Sequence, residues 1–148
     1  MSAGPHVPSE VLVVDANVVL GAMLGRSRPM VEYVRRRRLL STSARVREEV
    51  LGRTKGLGTG AAEARDAAQK ILALVVVAEP AFYAPLLPRA AEVLRLAPAS
   101  ANGNAADAHV LALAWTLDAD IWSHDRDFAG TGWPSWSSAN LRAALAGA

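Results

Sequence analysis

The sequence predicts an α/β protein, a three-layer α/β/α domain built around a central, mostly parallel sheet. Three observations predict it. Short apolar runs rich in β-branched residues recur along the chain, and stretches with apolar residues at helical spacing separate them. Neither an internal repeat nor a change of composition marks a second domain. The 148 residues suit a single core.

Val11–Val14 is the first strand, apolar throughout and therefore expected to be buried on both faces. A helix follows from Asn17 to about Leu24, with Asp15 at the junction. Ser27-Arg28-Pro29 turns the chain into a second helix, with proline at or near its first position and Met30, Val31 and Val34 on one side. Leu39–Thr42 is the second strand. Ser43 caps the next helix, whose Val46 and Val50 share a face. Glycines 56, 58 and 60 break the chain; they follow a helix and lack a Gly-Lys-Ser/Thr ending, so they do not read as a phosphate loop. A helix from about Ala61 runs into Ile71–Ala78, whose C-terminal half is the third strand, ended by Pro80. The chain is helical again after Pro88 at least, loops over 98–104, and forms a strong helix from Ala105 to Leu117. Ile121–Ser123 is the fourth strand, and a last helix follows Ser137 and Ser138.

Composition excludes several chemistries. The chain has no cysteine, which removes disulfides, thiol catalysis and thiolate zinc sites. Its three histidines are scattered, with no His-x-x-x-His pair. No apolar run approaches the roughly 20 residues of a membrane span. Residues 1–10 show no basic-then-apolar leader and read as a short flexible lead-in to one domain spanning 11–148, and a cytoplasmic location fits. Net charge is only +2, yet the isoelectric point is about 9.5 and arginine far outnumbers lysine. That bias mildly favours a nucleic-acid or acidic-protein partner, although a GC-rich genome produces it equally well.

The carboxylates carry more information. Open α/β sheets build their sites at the carboxyl ends of strands. Two strands here run into aspartate, Val13-Val14-Asp15 and Ile121-Trp122-Ser123-His124-Asp125. Asp107 opens the helix before the second of these. The pair Glu48-Glu49 lies on the helix after the second strand. Neighbours on a helix point about 100° apart, and Glu49 borders the stripe of Val46 and Val50, so Glu49 is the choice. Carboxylates converging without a lysine would repel one another and raise their pKa values. Mg2+ or Mn2+ among them makes such a cluster sensible, and it suits phosphodiester hydrolysis.

The order and context of these acids resemble the PIN-domain ribonuclease family over nearly the whole chain, from about Val11 to Leu141. The pieces are VVDANVVL, SARVREEV, NAADAHVLALA and IWSHDRDF. Each alone is weak; four in the right order and spacing are specific. The resemblance implies Mg2+- or Mn2+-dependent endonucleolytic cleavage of RNA. Asp15, Glu49, Asp107 and Asp125 match the family's acidic quartet as catalytic and metal-holding residues. Asn17 and Ser123 match its orienting polar positions, and Asp127 rivals Asp125 as the fourth acid, with Asp125 expected to be the inner one and Asp127 peripheral or supporting it. A single domain of this size is often the VapC-type toxin of a toxin–antitoxin pair, which implies a small antitoxin partner and a homodimer.

Arg26 and Arg28, close after the Asp15 helix, and His124 beside Asp125 are candidate substrate contacts. His124 has a bland alternative as a strand-end residue facing away, and His109 points roughly 200° from Asp107 and reads as structural. Arg35–Arg38 wraps round a helix and reads first as a solvated face. Trp133 and Trp136 read as a packed loop over the sheet edge rather than as a base-stacking platform. A phosphorelay receiver domain is excluded: Ala16 follows Asp15 where a second acid is needed, and the only lysines are Lys55 and Lys70. A PIN-like fold acting as an inert RNA- or protein-binding module, and a housekeeping nuclease that is no toxin, are the remaining alternatives.

Overall fold

The computed structural model describes residues 6–97 and 105–147, without the side chains of Ala105, Arg126 and Asp127. The loop expected at 98–104 therefore lies outside the described residues. Five strands form one sheet in the order β3-β2-β1-β4-β5, and every pairing is parallel. They are β1 (Val11–Val14), β2 (Leu39–Ser43), β3 (Val76–Ala78), β4 (Asp120–Trp122) and β5 (Ser135–Trp136). The register sets Leu12 beside Leu40 and Val13 beside Ile121, so β1 lies at the centre. Leu12, Val13 and Val14 are buried, as a strand covered on both faces requires.

Helices α1 (Ala16–Met23), α2 (Arg28–Arg35), α3 (Ala44–Lys55) and α4 (Ala61–Leu72) pack among themselves, and α8 (Ser138–Ala146) joins them through α2. Helices α5 (Pro80–Tyr83), α6 (Leu87–Leu96) and α7 (Ala108–Leu117) form a second group in which α7 lies on β1, β2 and β4. Residues Ala108 to Ala114 of α7 are all buried, which is why that segment shows little amphipathic pattern. Helix α7 stops at Asp118, whose left-handed backbone (φ +50°) turns the chain directly into β4. Among the described residues, no helix is long and apolar enough to cross a membrane.

One local feature differs from the sequence reading. Ser135–Trp136 pairs with β4 as an edge strand where a loop was expected. A two-residue strand beside Gly132 and Pro134 has no alternation to display, and only its neighbour defines it. Helical structure begins at Pro80, consistent with a stretch expected to be helical after Pro88 at least, and a proline at the first helical position costs no hydrogen bond.

The arginine run and the lead-in meet. The Arg37 guanidinium lies 3.7 Å from the Tyr33 ring centroid, and Arg38 Nε donates to the Pro8 carbonyl at 3.2 Å. Residues 6–10 of the lead-in are held against the domain from a second direction as well. Asp120, buried at the start of β4, takes His6 Nε2 at 2.8 Å and the Ser9 backbone N–H at 3.2 Å on one carboxylate oxygen.

Candidate active site

In the sheet order, β1 sends the chain to one side towards β2, while β4 approaches from the other. The crevice beyond the carboxyl ends of β1 and β4 is therefore the topological switch point, where such sheets bind ligands. Asp15 leaves β1 there. Its backbone N–H still donates to the Trp122 carbonyl at 3.0 Å, extending the ladder, and its side chain caps α1 by accepting from Ala16 N at 2.7 Å. One residue thus ends a strand, starts a helix and faces the crevice. That explains how a carboxylate comes to lie at the end of an apolar run.

Ser123 is the junction between the two strand ends. Its hydroxyl donates to Asp15 Oδ2 at 2.7 Å and accepts from the Asp125 backbone N–H at 2.9 Å and from Asn17 Nδ2 at 3.3 Å. The Asn17 carbonyl oxygen in turn accepts from His124 N at 3.2 Å. Asn17 and Ser123 therefore tie the start of α1 to the end of β4 and fix the rotamer of Asp15. Among the described residues Ser123 is the only side-chain donor to Asp15, and alanine there removes it. Ser123→Ala is expected to leave the Asp15 carboxyl harder to ionise, since it loses a hydrogen bond that favours the charged form, with a small change in melting temperature when both are measured on one preparation.

A cavity of about 200 Å3 opens at this junction, and Asp15, Glu49, Asp107 and Asp125 all line it. Four carboxylates from β1, α3, the N-terminus of α7 and the end of β4 are thereby gathered across the fold. Burial raises the Asp15 pKa above its ordinary value of 3.8, and the charges of Asp125 and Glu49 push it further, against the lowering effect of the hydrogen bonds from Ser123 and Ala16. Among the described residues, Arg53 supplies the one basic side chain in this wall. It lies a single helical turn beyond Glu49, and that spacing is the signal by which the sequence could have revealed it.

The other expected contacts are placed elsewhere. Arg26 is exposed, Arg28 faces Glu32 at 3.8 Å, and neither lines the cavity. The His124 ring turns to Ser138 Oγ at 2.7 Å. The side chain of Asp127 lies outside the described residues. Glu48 lines an adjoining cavity with Arg45 and His109. His109 is buried, its Nδ1 is 2.7 Å from Ser43 Oγ, and its pKa is lowered to about 4 by burial first and then by Arg45. Its imidazole is therefore neutral near pH 7.

Residues 13–146 match the family model of the PIN domain. The chain belongs to the PIN-domain family. Solved structures share the fold of this PIN domain at low sequence identity. VapBC2 from Rickettsia felis, solved bound to a DNA fragment from their promoter, superposes with a TM-score of 0.66 at 12% identity, over 86% of this chain and 98% of that one. PAE2754 from Pyrobaculum aerophilum gives 0.64 at 22% identity, over 93% and 90%. No curated protein matches the sequence at a significant level.

The donor set of this PIN domain fits a hard divalent cation. Among the described residues, the cavity offers carboxylate oxygens and no thiolate or imidazole, with several negative charges against one arginine. Among the described residues, no three acidic or histidine side chains are arranged to hold an ion directly.

Proposed function

We propose that this PIN domain is a divalent-metal-dependent endoribonuclease that hydrolyses RNA phosphodiesters, and that it is the toxin of a toxin–antitoxin pair. The observation that supports this best is the convergence of four carboxylates on one cavity at the switch point of the sheet. Asp15 and Asp125 are the principal residues to hold Mg2+ or Mn2+, with Glu49 and Asp107 completing the cage directly or through water. When bound, such an ion supplies Lewis acidity towards a phosphoryl oxygen and acidifies water towards neutral pH. The protein's own groups position and balance charge. Ser123 and Asn17 hold Asp15 in one rotamer. Arg53, which makes no ion pair among the described residues, is available to a phosphate oxygen as charge builds there. No side chain is required as general base.

Likeness to VapBC2 in fold supports a small antitoxin as partner, one whose extension would cover the acidic cavity; a homodimer as the working form is part of the same proposal. The decisive experiment is cleavage of end-labelled single-stranded RNA by the purified chain. Cleavage should require Mg2+ or Mn2+, stop on chelation and return when the ion is added back. Cleavage that persists in excess chelator would refute the metal role. Absence of cleavage with either ion, across structured and unstructured RNA, would favour the inert binding module. Arrest of growth on expression, relieved by a co-expressed antitoxin, separates toxin from housekeeping nuclease.

A further inference from the structure

The acidic cavity does not end at the carboxylates. It shares Glu49 and Asp107 with a second cavity of about 440 Å3. That one shares Arg45, Glu48 and His109 with a third of about 300 Å3, closed by Pro80, Tyr83 and Leu87. One groove therefore runs from the acids, along α3 and the N-terminal end of α7, to a half-apolar end pocket.

Its far end has the features of a small-ligand site. The volume is at the low end of such sites, and the walls mix apolar surface with a few polar groups. Tyr83 is 2% exposed, lines this pocket and makes no hydrogen bond within the described protein. The Tyr83 hydroxyl is not a sealed, unpartnered atom, so it meets solvent at the pocket. Its hydrogen-bonding capacity is thus kept for what enters the pocket. Arg45 and Glu48 stand three residues apart on α3, so they project together, and neither joins an ion pair among the described residues. The wall of the pocket thus carries a carboxylate that accepts, a guanidinium that donates and a hydroxyl that does either. His109 is a neutral wall, its Nδ1 occupied by Ser43.

We propose that this groove is a nucleobase subsite: Glu48, Arg45 and Tyr83 read the base of a nucleotide beside the scissile phosphate. The proposal rests on the ribonuclease reading above and deepens it. A single strand crossing the acidic cavity would carry its neighbouring base into the groove, and unstacked bases are recognised on their Watson–Crick edges. A carboxylate accepts only. It pairs well with guanine, whose edge presents adjacent imino and amino donors, and poorly with uracil, whose single imino donor is flanked by carbonyls. The subsite therefore favours guanine and disfavours uracil. It also assigns the two adjacent glutamates of α3 different tasks, Glu49 in the acidic cavity and Glu48 in base selection.

The test is cleavage of a randomised single-stranded RNA library with Mn2+, with cut sites read by sequencing, for the wild type, Glu48→Gln and Tyr83→Phe. The wild type should prefer guanine over uracil about tenfold or more at one position flanking the cut. Glu48→Gln should flatten that position severalfold, Tyr83→Phe should change it, and other positions should stay as they were. Each variant should keep its Mn2+-induced rise in melting temperature, which shows an intact fold and cavity. Titrating the wild type with guanosine and uridine monophosphates, followed by NMR, gives an independent readout; guanosine monophosphate should perturb the Tyr83 ring more. Identical base profiles in all three proteins would overturn the proposal while leaving the nuclease reading in place, and would assign the groove to a protein segment instead. A wild type that cuts no RNA would overturn both.

Discussion

Asp15→Asn is expected to abolish the response to divalent ions and to lower RNA cleavage at least about 100-fold, the factor that roughly 2.7 kcal/mol of barrier represents. Without metal, the same substitution should raise the melting temperature. The Asp15 carboxylate is desolvated and is repelled by Asp125 and Glu49, which together raise its pKa above 3.8. An acid raised in the folded state contributes stability that is fully present below 3.8 and is lost as pH rises through its folded value. At neutral pH the metal-free wild type therefore carries a penalty that the neutral isostere lacks. Melting both proteins in chelator across pH 3.5 to 8 should show nearly equal midpoints at the acid end. The gap should open in favour of Asp15→Asn as pH rises, by about 2–4 °C for each kcal/mol at this chain length. Mn2+ should then close or reverse it, because an ion binds only the folded wild type. A gap that stays constant with pH would mean that Asp15 is not charged under strain in this site. A mutant that still responds fully to Mn2+ would remove it from the metal-holding set.

Asp120→Ala should produce the largest loss of stability of any exchange of a charged residue outside the acidic cavity, about 2–4 kcal/mol. Asp120 is 5% exposed. One of its oxygens takes the Trp136 indole N–H at 2.8 Å, the Ser9 backbone N–H at 3.2 Å and His6 Nε2 at 2.8 Å. Alanine strands the first two donors and frees both the lead-in and the edge strand β5. The midpoint should fall by roughly 5–15 °C, and Asp120→Asn, which keeps one acceptor, should fall less. Glu92→Ala, which removes one partner of the exposed pair with Arg89, is the contrast and should change stability by less than about 0.5 kcal/mol. Asp120 begins β4 whereas the acidic cavity lies beyond its other end, so the folded fraction of Asp120→Ala should still respond to Mn2+. Equal losses in Asp120→Ala and Glu92→Ala would show that the three-donor junction carries no net stability.

The sequence by itself determined the α/β class, the parallel sheet and the positions of most elements, because each rests on local physics. An all-apolar strand such as Val11–Val14, the Ser43 cap before Val46 and the proline at the start of α2 state their conformation within a few residues. It also singled out the four carboxylates that line one cavity, since two of them end strands and strand ends are where such folds place ligands. What depends on contacts between distant segments was decided only by the tertiary structure. Strand β5 exists because Trp136 finds Trp122 as its neighbour. Asp120 carries no signal of its own in the sequence, and only β4 brings it to His6 and Trp136. Arg28 turned to Glu32 and His124 to Ser138, while Arg53, one turn from Glu49, became the basic residue of the acidic wall. The doubled Glu48-Glu49 separates the two kinds of information most clearly. Helical periodicity shows that two adjacent side chains must point different ways. Only the packing of α3 beside α7 decides which cavity each one meets.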